Sequence, residues 1–177
     1  MSTKHNMQLL QELSVKNGPL CVGLDTDPSY IPESVIKNYS TPAQAVLEYN
    51  KEIIKRVSSD KSACCCKVQI AYYEAMGLEG MKVYSQTLKE VRKAGLIAIS
   101  DIKRGDIGAT SDAYAKAHFT GDFETDIITI NPYMGDGTYD LDYLNSLPVE
   151  NETKFIKHLR FSSPIQVKVD GRKNKGV

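Results

Sequence analysis

Short apolar runs alternate with longer amphipathic ones along this chain of 177 residues. Residues 20–24 form a compact apolar run that ends at Asp25, with Pro28 and Pro32 marking a loop beyond it. Thr41-Pro42 offers a helix cap followed by a proline in the first turn, and Ala45, Val46, Tyr49, Ile53 and Val57 then recur at helical spacing. Residues 63–71 read as a second strand, and residues 80–93 as a helix that Gly95 terminates. A third strand spans 96–100 and ends at Asp101, a helix covers 107–118, and a fourth strand spans 126–130. A weaker helix is expected through Leu147.

Strands this uniformly apolar are buried on both faces, and each is followed by a helix-length segment. The pattern predicts βα units on a parallel sheet. Both an open doubly wound sheet and a closed (β/α)8 barrel satisfy it. In either case ligands bind at the C-terminal ends of the strands, where Asp25, Lys67, Gln69, Asp101 and Asn131 fall.

Composition narrows the function classes. Lys and Arg number 22 against 22 Asp and Glu, so no global field favours nucleic acid or a membrane surface. The balance is local: residues 150–177 carry seven basic and three acidic side chains, a tail that reads as a solvated surface segment. No apolar stretch approaches the ~18 residues of a membrane span. The N-terminus lacks a secretory pattern, which points to a cytoplasmic protein. Cys64, Cys65 and Cys66 are adjacent, so on one strand they face alternate sides and cannot all reach one metal. They read as small apolar residues of a buried strand in a reducing compartment.

The candidate chemistry lies in Asp101-Ile-Lys103-Arg-Gly-Asp106-Ile-Gly-Ala-Thr110. Asp101 and Lys103 are two apart and can emerge on one face of a strand. Gly105 permits a turn, and Asp106 is expected to cap the next helix, with Thr110 one turn further along the same face. A lysine between two carboxylates stays protonated and can stabilise a carbanion before delivering a proton to it. Lys67 from the preceding strand extends this to an alternating row of Lys67, Asp101, Lys103 and Asp106. Spacing alone leaves an ordinary surface ion pair and a plain helix cap as equal readings.

The run D-I-K-R-G-D-I-G-A-T resembles the signature of orotidine 5′-phosphate decarboxylases, D-x-K-x-x-D-I-x-x-T. V-G-L-D ending at Asp25, K-V-Q-I-A-Y-Y-E starting at Lys67 and I-T-I-N-P-Y-M-G ending at Gly135 match in order, in the wording of the longer bacterial-type branch. The resemblance implies a (β/α)8 barrel, a homodimer with shared active sites, and cofactor-free, metal-free decarboxylation of orotidine 5′-phosphate to UMP in pyrimidine biosynthesis. It implies Lys103 as general acid, Asp101 beside the departing carboxylate, and Lys67 completing the charged network near the ribose. It further implies Asp25 as a ribose ligand and Ile107 as a substrate contact, with Asp106 and Thr110 reaching across the dimer interface to bind substrate in the partner's site.

The length suits a lead-in helix over 1–18, βα units 1–4 over 19–147 and a divergent tail over 148–177. That is a barrel truncated after about four units, against the ~250 residues of a full one. The pyrimidine and phosphate loops of the family would belong to the half that is missing, so the phosphate-binding residues are unknown. Two alternatives follow: a non-catalytic half barrel or binding module, and a sugar-phosphate decarboxylase or aldolase of the same superfamily.

Overall fold

The computed structural model describes residues 5–131. The expectations for 132–147 and for the basic tail lie outside the described residues. Strands β1 (Cys21–Gly23), β2 (Cys65–Gln69), β3 (Ile97–Arg104) and β4 (Ile127–Ile130) form a parallel sheet in the order β1-β2-β3-β4. The register pairs Cys21 with Cys65, Cys65 with Ile97, and Ile99 with Ile127. Each strand lies beside its predecessor and the order never reverses. A doubly wound sheet needs such a reversal, so the arrangement is that of successive (β/α)8 barrel units.

Helix α1 (Asn6–Asn17) crosses the N-terminal ends of the strands, where the Asn6 amide donates to Asp126 O at 2.7 Å. Its Leu9, Leu10 and Leu13 cover Cys64, Cys65 and Ile97, and Ile99 and Ile127 join this inner cluster. Cys66 and Val68 face the other way, into the layer beneath the helices. The alternation expected of the cysteines therefore holds from Cys65 onward. Cys64 precedes the strand and shares the inner cluster with Cys65. Burial pushes the Cys66 thiol up to about 12, leaving it a packing group and not a nucleophile.

A short helix α2 (Glu33–Ile36) leads into α3 (Pro42–Ser59), whose start follows the expected chemistry: Thr41 Oγ1 accepts from Gln44 N at 3.2 Å, with Pro42 behind it. The buried stripe of α3 runs through Ala43, Ala45, Val46, Leu47, Asn50 and Ile54, with Ile53 and Val57 packed partly buried against the core; of the expected positions only Tyr49 lies exposed. The position the pattern did not announce is Asn50. A polar side chain looks like a surface position in sequence, yet this one is fully buried. It accepts from Thr26 Oγ1 at 2.7 Å and donates to Tyr73 Oη at 2.9 Å. Tyr73 in turn donates to Leu24 O at 2.9 Å. Residues 24 and 26 are thereby pinned on either side of Asp25.

β2 ends at Gln69, not at the expected residue 71, because the Gln69 side chain caps a short helix, α4 (Ile70–Glu74), by accepting from Ala71 N. Helix α5 (Gly77–Lys93) follows, and Gly95 takes φ 75° just beyond its end, as its position predicted. Gly80 is required by contact: a Cβ there would lie 2.0 Å from Tyr73 O.

Two expectations around the signature are corrected. β3 runs on to Arg104, because β4 continues to pair with it there. Helix α6 (Gly108–Phe119) starts after Ile107, so Asp106 is not its cap; the Asp106 carboxylate accepts from Ile107 N at 2.9 Å, one residue before the helix. Asp106 and Thr110 therefore do not share a helical face. Gly105 is likewise required by proximity, since a Cβ would meet Asn131 O at 2.7 Å. No helix among the described residues is long and apolar enough to cross a membrane.

Candidate active site

Four charged side chains meet at the C-terminal ends of β1, β2 and β3. Lys67 Nζ lies 3.0 and 2.9 Å from the two carboxylate oxygens of Asp25. It also reaches Asp101 Oδ2 at 3.4 Å. Lys103 Nζ donates to Asp101 Oδ1 at 2.6 Å. The row alternates as Asp25, Lys67, Asp101, Lys103. The expected fourth member was Asp106; within this chain Asp25, two residues past β1, stands at the other end of the row beside Lys67.

Asp101 is the hub. Its side chain is 9% exposed, whereas that of Lys103 is 56% exposed and opens toward solvent. Oδ1 accepts from Lys103 and, at 2.7 Å, from Thr129 Oγ1; Oδ2 accepts from Lys67 and, at 2.9 Å, from Gln69 Nε2. Four donors fill the acceptor capacity of one carboxylate. Burial by itself would raise the Asp101 pKa. The bonds from Lys103 and Thr129 and the nearby ammonium charges overcome it, and the group is held below the ordinary carboxylate value. Burial likewise works against the Lys67 ammonium, but pairing with Asp25 and Asp101 prevails and its pKa is raised. Both groups therefore stay ionised at neutral pH.

Of the residues singled out in the sequence, Asp25, Lys67, Asp101 and Lys103 are brought together. Asp106, Ile107 and Thr110 are not in contact with this row; Ile107 and Thr110 are exposed, Ile107 at 58%. Arg104 points elsewhere, pairing with Glu74 at 2.8 Å and lying over the Tyr114 ring. Gln69 was placed on the ligand rim without a role, and Thr129 was missed as a member of the site. The available signal for Thr129 was a lone hydroxyl in the apolar run 127–130, at the end of a strand where an inward side chain meets the rim.

Among the described residues, no group of three or more His, Cys, Asp or Glu side chains is arranged to hold a metal ion. A separate groove of about 390 Å³ lies beneath α1 between Leu9, Leu13, Leu96 and Asp126, and shares no residue with the charged row.

Residues 18–140 match the family described as Orotidine 5'-phosphate decarboxylase / HUMPS family. An orotidine 5'-phosphate decarboxylase of Clostridium novyi is 54% identical over 128 residues, covering 72% of this chain and 44% of that protein. One from Clostridium kluyveri is 48% identical over 147 residues, covering 83% of this chain and 50% of its own length. The chain thus spans about half the length of the curated relatives it matches. Among solved structures, Leishmania donovani OMP decarboxylase superposes with a TM-score of 0.60 at 34% identity, covering 76% of this chain and 47% of that one. UMP synthase of the same organism superposes with a TM-score of 0.63 at 34% identity, covering 77% and 27%.

Proposed function

On the premise that this chain belongs to the orotidine 5'-phosphate decarboxylase / HUMPS family, we propose that its charged row carries out the decarboxylation of orotidine 5′-phosphate to UMP. The observation that carries the reading is the Lys103–Asp101 pair: an exposed ammonium 2.6 Å from a buried carboxylate that is already saturated with donors. Such a carboxylate is held ionised beside the position a substrate carboxylate would occupy. Like charges brought together there favour departure of CO₂.

The C6–carboxylate bond breaks, CO₂ leaves, and the electron pair stays on C6 of the pyrimidine. The Lys103 ammonium stabilises that pair and donates a proton to it, forming the C6–H bond of UMP; solvent then reprotonates the lysine. Lys67 holds Asp101 and Asp25 apart as separate anions, and Asp25 accepts from the ribose hydroxyls. Every ~1.4 kcal/mol by which the row favours the carbanionic transition state over the bound substrate is worth tenfold in rate.

In this reading the half-buried Asp106 and the exposed Ile107 and Thr110 contact substrate, Asp106 and Thr110 in the site of a second copy, making the enzyme a homodimer. A cytoplasmic location follows from its place in nucleotide synthesis. The phosphate grip would come from segments beyond the described residues.

The test is a decarboxylation assay of the purified protein, following loss of orotidine 5′-phosphate absorbance, with Lys103→Ala as control. Turnover that disappears in the variant supports the reading. Folded protein without turnover, yet binding UMP in calorimetry, would leave a nucleotide-binding half barrel instead. Activity lost on chelation would favour a metal-dependent sugar-phosphate enzyme of the same superfamily.

A further inference from the structure

We infer that Thr129, on the fourth strand, is a positioning residue for the Asp101–Lys103 pair, its hydroxyl holding Lys103 in the backbone conformation that brings ammonium and carboxylate together. The inference rests on the reading of that pair as catalytic and extends it to a residue that need not touch substrate.

The starting point is a break in the sheet. β3 and β4 pair at Ser100 with Ile128 and again at Arg104 with Ile130, so four steps along β3 match two along β4. The extra residues lie between these pairs, where Asp101, Ile102 and Lys103 stand. A regular ladder cannot satisfy their amides. Lys103 also takes φ 45°, a left-handed conformation that non-glycine residues adopt only when the surroundings impose it.

Thr129 supplies the imposition. Its Oγ1 accepts from Ile102 N at 3.1 Å and from Lys103 N at 3.0 Å, and donates to Asp101 Oδ1 at 2.7 Å. One donor and two acceptor sites are all that a hydroxyl has, and all are used on this one turn of backbone. The polarity is self-consistent: with its proton committed to the carboxylate, the oxygen lone pairs face the two amides. Asn131 closes the other side, its side-chain amide donating to Lys103 O at 2.9 Å and its backbone N–H to Arg104 O at 2.8 Å. Thr129 therefore couples the Lys103 backbone to the carboxylate that its own side chain pairs with. Losing the hydroxyl frees the backbone and removes one of the four donors to Asp101 at once.

The experiment compares Thr129→Val, which keeps the shape without the hydroxyl, with Thr129→Ser, which keeps the hydroxyl. Carbon-13 NMR reads the Asp101 carboxyl titration and the Lys103 Cα and Cβ shifts, which report backbone φ. The expected result for valine is an Asp101 midpoint raised by roughly one pH unit and Lys103 shifts moving toward ordinary strand values, with serine leaving both near wild type. Valine spectra unchanged from wild type, or serine displaced as far as valine, would overturn the proposal. Should the valine variant not fold, the wild-type spectrum decides: left-handed shifts at Lys103 support the proposal and strand shifts overturn it. These readouts report geometry and not turnover, so failure of the decarboxylase assay and failure of this inference are separately visible.

Discussion

Lys67 and Gln69, two residues apart on β2, donate to the same oxygen of Asp101, at 3.4 and 2.9 Å respectively. One is a full charge and the other a neutral amide. The nearer, shorter bond belongs to the amide, so the orientation of the carboxylate is shared between them while the charge balance rests on the lysine.

Gln69→Leu should separate these roles. Removing the amide strips one hydrogen bond from an ionised, largely buried acceptor, so the Asp101 pKa should rise toward its ordinary value while the Lys67 contact survives. Turnover in the orotidine 5′-phosphate assay is expected to fall by about tenfold, equivalent to ~1.4 kcal/mol, with most of the loss in kcat. An unchanged kcat with a normal Asp101 titration would show that Lys67 alone orients the group.

Asn50→Ala should destabilise the fold by about 2–3 kcal/mol in urea denaturation, because it leaves the buried Thr26 hydroxyl without its acceptor and opens space beside Tyr73. The same loss should loosen residues 24–26, seen as faster amide exchange around Asp25 than in wild type.

Gly80→Ala is expected to cost more than a surface glycine would. The added methyl would sit 2.0 Å from Tyr73 O and 2.6 Å from Met76 Cβ, so α4 and α5 must move apart. A loss of about 1–3 kcal/mol in the same denaturation experiment is expected.

His118 sets an acid limit on stability. Burial, reinforced by the Arg104 charge, lowers its pKa from 6.5 to about 4, so the folded state favours the neutral ring. The unfolded chain therefore binds the extra proton between these values. Stability contributed by the neutral ring is complete above about pH 6.5 and is lost as pH falls toward 4, by on the order of 3 kcal/mol in total. His118→Phe should flatten the denaturation midpoint against pH over that window. A curve identical to wild type would place the acid sensitivity elsewhere.

The sequence by itself determined the βα rhythm, the parallel strands and the signature that carries Asp101 and Lys103, because periodicity and local spacing are properties of neighbouring residues. Thr41 and Gly95 were legible as helix signals for the same reason, since a cap acts within one turn. What only the tertiary structure decided depends on residues far apart in the chain. The strand order excluded the doubly wound sheet. Asn50 is buried because partners 23 and 24 positions away satisfy its amide, and no pattern around residue 50 announces them. Asp25 joins the row because β1 lies beside β2, which sets its carboxylate against Lys67. Lys103 is held by Thr129 across a bulge, and a bulge is a mismatch between two strands that neither strand encodes alone.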